Sequence, residues 1–358
     1  MRIGKSGDGA LARRVLIVVA ILGLAALLWY LVDVLLLVFG SVLIAVLLRA
    51  AAAPINQRTG IGDNWALAAA TLCVTLVIVL ASVLFGAEVR AQTVKLLETL
   101  PAGWETFVER TLRGSLQEEI IEGADDAVPG VGQMIGNVLL GAWTVVGGLS
   151  AVVLIIVGGL YLAAQPEIYR RGFLLLLPDD GKRTAGAETL DALGEALKLW
   201  LLGQLATMAF IFVVTLAGLW LIGLPAALAL AVFAGLAQFV PILGPIVASI
   251  PALLVALTES WTMVLWVLGL YIVIQQIESN LVTPLVQRHT VNLPPALPLF
   301  AVVVFGLLFG LAGVLLATPL AVLAFVAIKK LWVRDTLGET TRLPGESDEE
   351  VEMPQAGE

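Results

Sequence analysis

Residues 297–330 read LPLFAVVVFGLLFGLAGVLLATPLAVLAFVAIKK, and no charge interrupts them before Lys329 and Lys330. A helix needs about 20 apolar residues to cross the roughly 30 Å hydrocarbon core of a bilayer. This run meets that requirement, and several others along the chain do too. Of the 358 residues, 59% are apolar and 13% charged, whereas roughly a quarter are charged in soluble domains. An outer-membrane barrel would show ~10-residue segments of alternating hydropathy, and that pattern is missing. The chain therefore reads as an all-α polytopic membrane protein with no water-soluble core of its own.

The runs predict about eight spans, at about 14–31, 34–53, 64–87, 135–164, 198–222, 225–257, 261–279 and 297–330. Residues 15–48 are broken only by Asp33. At 1.5 Å per residue this is about 50 Å of helix, too long for one span. A hairpin turning near Asp33 resolves the excess and leaves Arg14 and Arg49 on one side. Lys and Arg in short loops stay cytoplasmic. That rule places residues 1–13 and both termini inside, with Arg13, Arg14, Arg49, Arg58, Arg170, Arg171, Lys182, Arg183, Lys329, Lys330 and Arg334.

Three stretches lie outside this scheme. Segment 88–134 holds nine acids against four bases, and Val94, Leu97, Pro101, Trp104, Val108 and Leu112 recur at steps of three and four. It reads as an extracytoplasmic amphipathic helical segment, broken at Pro101. Residues 184–200 read as a cytoplasmic amphipathic helix, with Leu190, Leu193, Leu197 and Trp200 on one side and Glu188, Asp191, Glu195 and Lys198 largely elsewhere. It runs straight into the fifth span. The formal charge of −8 comes mostly from the tail, because Asp335 to Glu358 carries eight acids against Arg342. Residues 331–358 read as a disordered acidic cytoplasmic tail.

No catalytic constellation is present. The chain has one histidine, His289, and one cysteine, Cys73. Phosphate loop, nucleophile elbow and metal-ligand spacing are all missing. The expectation is a non-enzyme with no cofactor, no metal and no nucleic-acid partner, in which any transport runs without ATP.

Chemistry concentrates between 225 and 320. In Phe239-Val240-Pro241-Ile242-Leu243-Gly244-Pro245, each proline lacks an N–H. The carbonyls four residues back, Ala237 and Pro241, should lose their helical partners, and Pro251 does the same to Val247. Unpaired carbonyls survive at membrane depth only inside protein or beside water, and discontinuous helices build midplane sites in secondary transporters. The reading therefore breaks the helices at 238–245 and 275–298.

The seventh span ends in Gln275, Gln276, Glu278 and Asn280, followed by Thr283-Pro284. An acid within a span is a functional candidate by default. Glu278 is the leading site residue, as cation ligand or proton carrier. Gln204 and Gln238 lie inside other spans, where an amide serves as a helix-to-helix hydrogen bond or as a ligand. Gly306, Gly310 and Gly313 read as a small-residue face for close packing in the last span. Pro294, Pro295 and Pro298 shape the segment that returns the chain to the bilayer.

The combination of Phe239 to Pro245, Pro251-Ala252, Gln276-Ile277-Glu278-Ser279-Asn280, Thr283-Pro284-Leu285, Leu308-Phe309-Gly310-Leu311-Ala312-Gly313 and Ala317-Thr318-Pro319-Leu320 resembles the autoinducer-2 exporter family, also called PerM-like permeases. Leu177-Pro178 and Leu202-Gly203-Gln204 extend the resemblance over roughly 10–335. It implies an eight-span bacterial inner-membrane transporter, a homo-oligomer with five subunits. Its cargo would be a small polar signalling molecule or, in some similar proteins, sodium or lithium exchanged for protons. The family's acidic position maps onto Glu278, and its Pro-Gly-Pro turn onto Pro241, Gly244 and Pro245. Arg288-His289-Thr290 departs from the Gly-Arg or Gly-Lys common there.

The reading is thus an exporter of a small polar solute past Gln204, Gln238, Pro241, Gly244, Pro245, Gln275, Gln276, Glu278, Asn280 and Pro284. A cation/proton antiporter using Glu278 is the alternative. An oligomeric envelope scaffold is the second.

Overall fold

The computed structural model describes residues 31–77, 146–287, 291 and 293–346, with scattered helical positions between 16 and 94. Every regular element among the described residues is helical. In chain order they are α1 (Val32–Thr59), α2 (Asp63–Val77), α3 (Val146–Ala164), α4 (Pro166–Leu175), α5 (Asp180–Ile222), α6 (Ala227–Ala237), α7 (Leu243–Glu259), α8 (Trp261–Ile277), α9 (Thr283–Gln287) and α10 (Ala296–Ala327). Two π-helical segments, Glu278–Val282 and Ile328–Arg334, follow α8 and α10. The expected outer segment lies outside the described residues except for a few positions up to Val94, and so does the tail beyond Glu346.

The hairpin expected at Asp33 is absent. Leu31 N–H donates to the Leu27 carbonyl and Leu35 N–H to Leu31, each at 2.9 Å. Helical bonding thus continues through Asp33 into α1, because one acid is too weak a signal to reverse a chain that lacks Gly or Pro there. α1 packs along α3 with the backbones close together. A Cβ on Gly159 would lie 2.6 Å from Ile44, and one on Gly158 would lie 2.7 Å from Ser41 Oγ. Arg49 Nε donates to the Ala163 carbonyl at 2.7 Å and closes the end of α3. A bend of 82° then leads into α4.

α5 is the axis of the molecule. Asp179 caps it, accepting Lys182 N–H at 2.8 Å, and that bond holds the Asp179 carboxyl below the ordinary carboxylate range. Its 43 residues make about 65 Å of helix, twice the hydrocarbon thickness. The amphipathic stretch 184–200 and the fifth span are therefore one rod. Ala196, Leu197 and Trp200 are buried against Leu43, Val322 and Val326, while Glu188 and Asp191 remain exposed.

The expected span 225–257 is two helices folded against each other. α6 runs back along α5 from Gly223, packing Leu230 near Leu219 and Phe233 near Ile211. Its N-terminus has no side-chain cap of its own. Gln92 Oε1 supplies one by accepting Ala229 N–H at 3.1 Å. The chain reverses through 238–242, where Ile242 takes φ 72°. α7 then returns beside α6, with Ala248 near Ala234 and Val255 near Leu230. At the tip, a Cβ on Gly244 would lie 2.3 Å from the Ala237 carbonyl oxygen, so only glycine lets the two arms meet.

The carbonyls expected to be stranded there are not stranded. Val240 N–H reaches the Ala237 carbonyl at 3.1 Å, and Leu243 N–H reaches that of Pro241 at 2.9 Å. Tight turns replace the helical bonds the prolines remove.

α10 also departs from expectation. Gly310 sits at φ 61°, ψ −143° inside it, a region that residues with a Cβ avoid. A Cβ on Gly313 would lie 2.0 Å from the Phe305 carbonyl oxygen, and one on Gly306 2.9 Å from Val314. In an unbroken helix, eight residues span about 12 Å. The chain therefore folds back at Gly310 into a V-shaped second hairpin with arms 296–309 and 311–327. The glycines expected to form a packing face on a straight span make this reversal instead.

The two hairpins enter from opposite ends of α5. The first has its base at Leu219 and Leu224, near the C-terminal end. The second has its base where Val291, Val322 and Val326 meet Ala196 and Leu197. They meet where Val240, beside the first tip, packs with Val302 and Ala317 from the two arms of the second.

Among the described residues, four helices are long and apolar enough to cross a membrane, or five if the bent α3–α4 pair counts as one span. The expected eight are not shown. One of the four contains the Gly310 reversal. Residues 335–346, expected to be disordered, fold back onto α5 and bury Leu343.

A polar site at the tip of the first hairpin

α5, the first hairpin and α8 converge on one cluster. Gln204, on the buried face of α5, donates from Nε2 to the Gln238 backbone carbonyl at 2.5 Å. Gln238 is 1% exposed, and its Nε2 donates to Glu278 Oε1 at 2.5 Å. Glu278, 8% exposed, accepts a second bond from Gln275 Nε2 at 3.3 Å. Gln238 Oε1 is buried and has no hydrogen-bond partner among the described residues.

Local sequence explains where Glu278 points. Pro284 has no N–H for the Asn280 carbonyl, which disfavours α-helical bonding just after α8. The chain widens into the π-helical segment, and Thr283 N–H reaches the Glu278 carbonyl five residues back. Such wide turns recur at functional sites because they re-aim a side chain. Here the carboxylate is turned inward while Gln276 and Asn280 stay on the exposed face, bonded to each other at 3.0 Å.

Four of the expected site residues, Gln204, Gln238, Gln275 and Glu278, thus form one hydrogen-bonded chain. Pro241, Gly244 and Pro245 build the tip that carries Gln238. Gln276 and Asn280 form a separate exposed pair, and Pro284 acts through the backbone. Sequence reasoning missed Phe239, whose ring meets Trp200 edge-on at 5.9 Å beside the cluster, and it missed Gly310. Three glycines, Gly306, Gly310 and Gly313, at four- and three-residue spacing were the available signal for Gly310, and they equally suit a packing face.

The cluster's charged group is an acid, and the side chains bonded to it are amides. No group of three or more metal-ligating side chains occurs among the described residues. Such a site can take a proton, a small cation or a solute that donates hydrogen bonds.

A buried carboxylate at the tip of a proline-broken hairpin, in a chain of apolar helices, is the arrangement of a polytopic membrane protein. Residues 16–332 match the AI-2E family transporter model, and the chain belongs to that family. YhhT of Escherichia coli K12, a protein named for transport, is 25% identical over 256 residues, covering 71% of this chain and 67% of that protein. YrrI of Bacillus subtilis strain 168, also named for transport, is 29% identical over 178 residues, 49% of each chain. A similarly named protein of Mycobacterium tuberculosis, MT0215, is 38% identical over 104 residues, 29% of this chain and 28% of that one. The chain spans about half the length of the Bacillus subtilis relatives it matches.

Proposed function

We propose that the protein exports a small polar solute such as an autoinducer-2-like molecule, without ATP, along a route past Glu278. The observation that carries this reading is the Gln238–Glu278 bond at the tip of a membrane hairpin. A buried acid in a span is costly to keep there, and here it is held by amides that leave one acceptor, Gln238 Oε1, for a donor. The family name supplies the solute class. The protein would work in the bacterial inner membrane as a homo-oligomer of five, with both termini cytoplasmic.

Efflux of labelled autoinducer-2 from proteoliposomes tests the proposal. Flux above that of protein-free vesicles, abolished by Glu278→Gln in a protein that still elutes as the native oligomer, is the expected result. No flux above the vesicles overturns it.

A second reading is sodium or lithium/proton antiport. A carboxylate among amides, with no basic side chain bonded to it among the described residues, favours it. A sodium gradient that drives proton movement, lost in Glu278→Gln, would replace the first reading. Failure of both assays would leave an envelope scaffold.

A further inference from the structure

The second arm of the second hairpin leaves α10 through Ile328–Arg334, where acids meet its bases from two directions. Lys330 is 6% exposed. Its ammonium donates to Glu188 Oε2 on α5 at 3.0 Å and to Asp335 Oδ1 at 2.9 Å. Arg334 pairs with Glu346 at 2.5 Å, and the second Glu346 oxygen accepts Leu343 N–H at 2.9 Å. Lys329 Nζ donates to the Arg342 carbonyl at 2.6 Å. At the far end, Gly345 takes φ +90° and lies against Glu195 of α5, where a Cβ would come within 3.0 Å. The segment 335–346 is therefore fastened to the end of α10 and laid along α5.

We infer that this C-terminal arm is a clasp that restrains the second hairpin against α5 and so keeps the two hairpin tips together. The contact it protects is the small apolar cluster of Val240, Val302 and Ala317. Apolar contact drives helix association weakly in lipid, so that cluster alone resists separation little. Moving α10 away from α5 must also break the Lys330–Glu188 pair, leaving Lys330 with Asp335 alone, an added ionic cost. The clasp is ionic and lies at the hydrated end of the helices, so salt or a charged competitor can release it. The sequence could not show this, because acids spaced along a Gly- and Pro-containing tail look solvated until their bases are placed beside them.

The test reads hairpin separation directly and needs no transported solute, so its failure leaves the transport reading standing, and the reverse holds too. In full-length protein with Cys73→Ser, Val240→Cys places a single thiol at the contact, where the native residue is buried. Its reaction rate with a membrane-impermeant maleimide is measured in liposomes. Lys330→Gln, Glu346→Gln and a chain ending at Arg334 should each raise the rate about fivefold or more. Raising salt to about 0.5 M should accelerate the intact chain more than any of the three variants, each of which has already lost part of the ionic fastening. Unchanged rates in the variants, or equal salt acceleration in all, overturn the inference. Thermal unfolding and elution volume check each variant. Should the shortened chain aggregate, the two full-length variants decide.

Discussion

Gln204 and Gln238, thirty-four residues apart in sequence, are joined from the side-chain amide of the first to the backbone carbonyl of the second at 2.5 Å. The bond pins the reversing end of a membrane hairpin to α5, the longest helix among the described residues. Membrane interhelical hydrogen bonds average roughly 0.6 kcal/mol and reach about 1.7. Orphaning a buried acceptor adds a penalty of about 1–3 kcal/mol. Gln204→Leu should therefore destabilise by ~2 kcal/mol. Reversible unfolding in mixed micelles measures this, and a change near zero would show that the tip is held by packing alone.

Gln238 and Glu278 should behave as one unit. Gln238→Leu removes a donor from a buried carboxylate, and Glu278→Gln removes the charge that the donor serves. Each single change should lower transport to near the background of empty vesicles, and the double variant should be no worse than either. In stability the pair should show a coupling of about 1–3 kcal/mol by double-mutant cycle. Additive effects would mean that the two residues act separately.

The glycines of the two tips give a ranking. Gly313→Ala and Gly244→Ala place a Cβ 2.0 and 2.3 Å from backbone carbonyl oxygens, which cannot yield as a side-chain end does. Gly310→Ala meets nothing within 4 Å and bears only the strain of its positive φ, about 1–3 kcal/mol. Both clashing variants should fail to reach the membrane in folded form, whereas Gly310→Ala should fold with a lowered melting temperature. Equal behaviour of Gly310→Ala and Gly313→Ala would contradict a reversal at Gly310.

These residues also mark what the sequence could reveal. Apolar runs expose solvent, so the all-helical membrane architecture was legible from composition and run length. Pro241 and Pro245 announced the first break because proline removes a donor wherever it stands. Gly310 announced nothing comparable. Glycine permits a positive φ without requiring it, and in an apolar run it looks like a packing residue. The site was legible as parts. Polar residues inside spans stood out one by one, but the link from Gln204 through Gln238 to Glu278 crosses three helices, and only the hairpin's return along α5 brings them together. The Asp33 turn failed for the opposite reason, because a single acid was read as a break when the backbone could simply continue.

The α1–α3 contact yields a prediction by rescue. Gly159 lets α3 lie against α1 so closely that an added Cβ would stand 2.6 Å from the Ile44 side chain and 3.0 Å from the Ser41 carbonyl. The first obstacle is Ile44 Cβ and Cγ2, which only a glycine at 44 removes altogether, whereas the second is backbone and only tight. Gly159→Ala alone should destabilise by about 1–3 kcal/mol, the usual range for an overpacked contact. Ile44→Gly alone removes packing and adds chain entropy to the unfolded state, so it should also destabilise. Combined, the two should recover most of the loss from Gly159→Ala, because the alanine methyl then occupies space the isoleucine vacates. Unfolding of the three variants in one detergent measures this. Losses that simply add would show that the Ser41 backbone, and not Ile44, sets the distance between the helices.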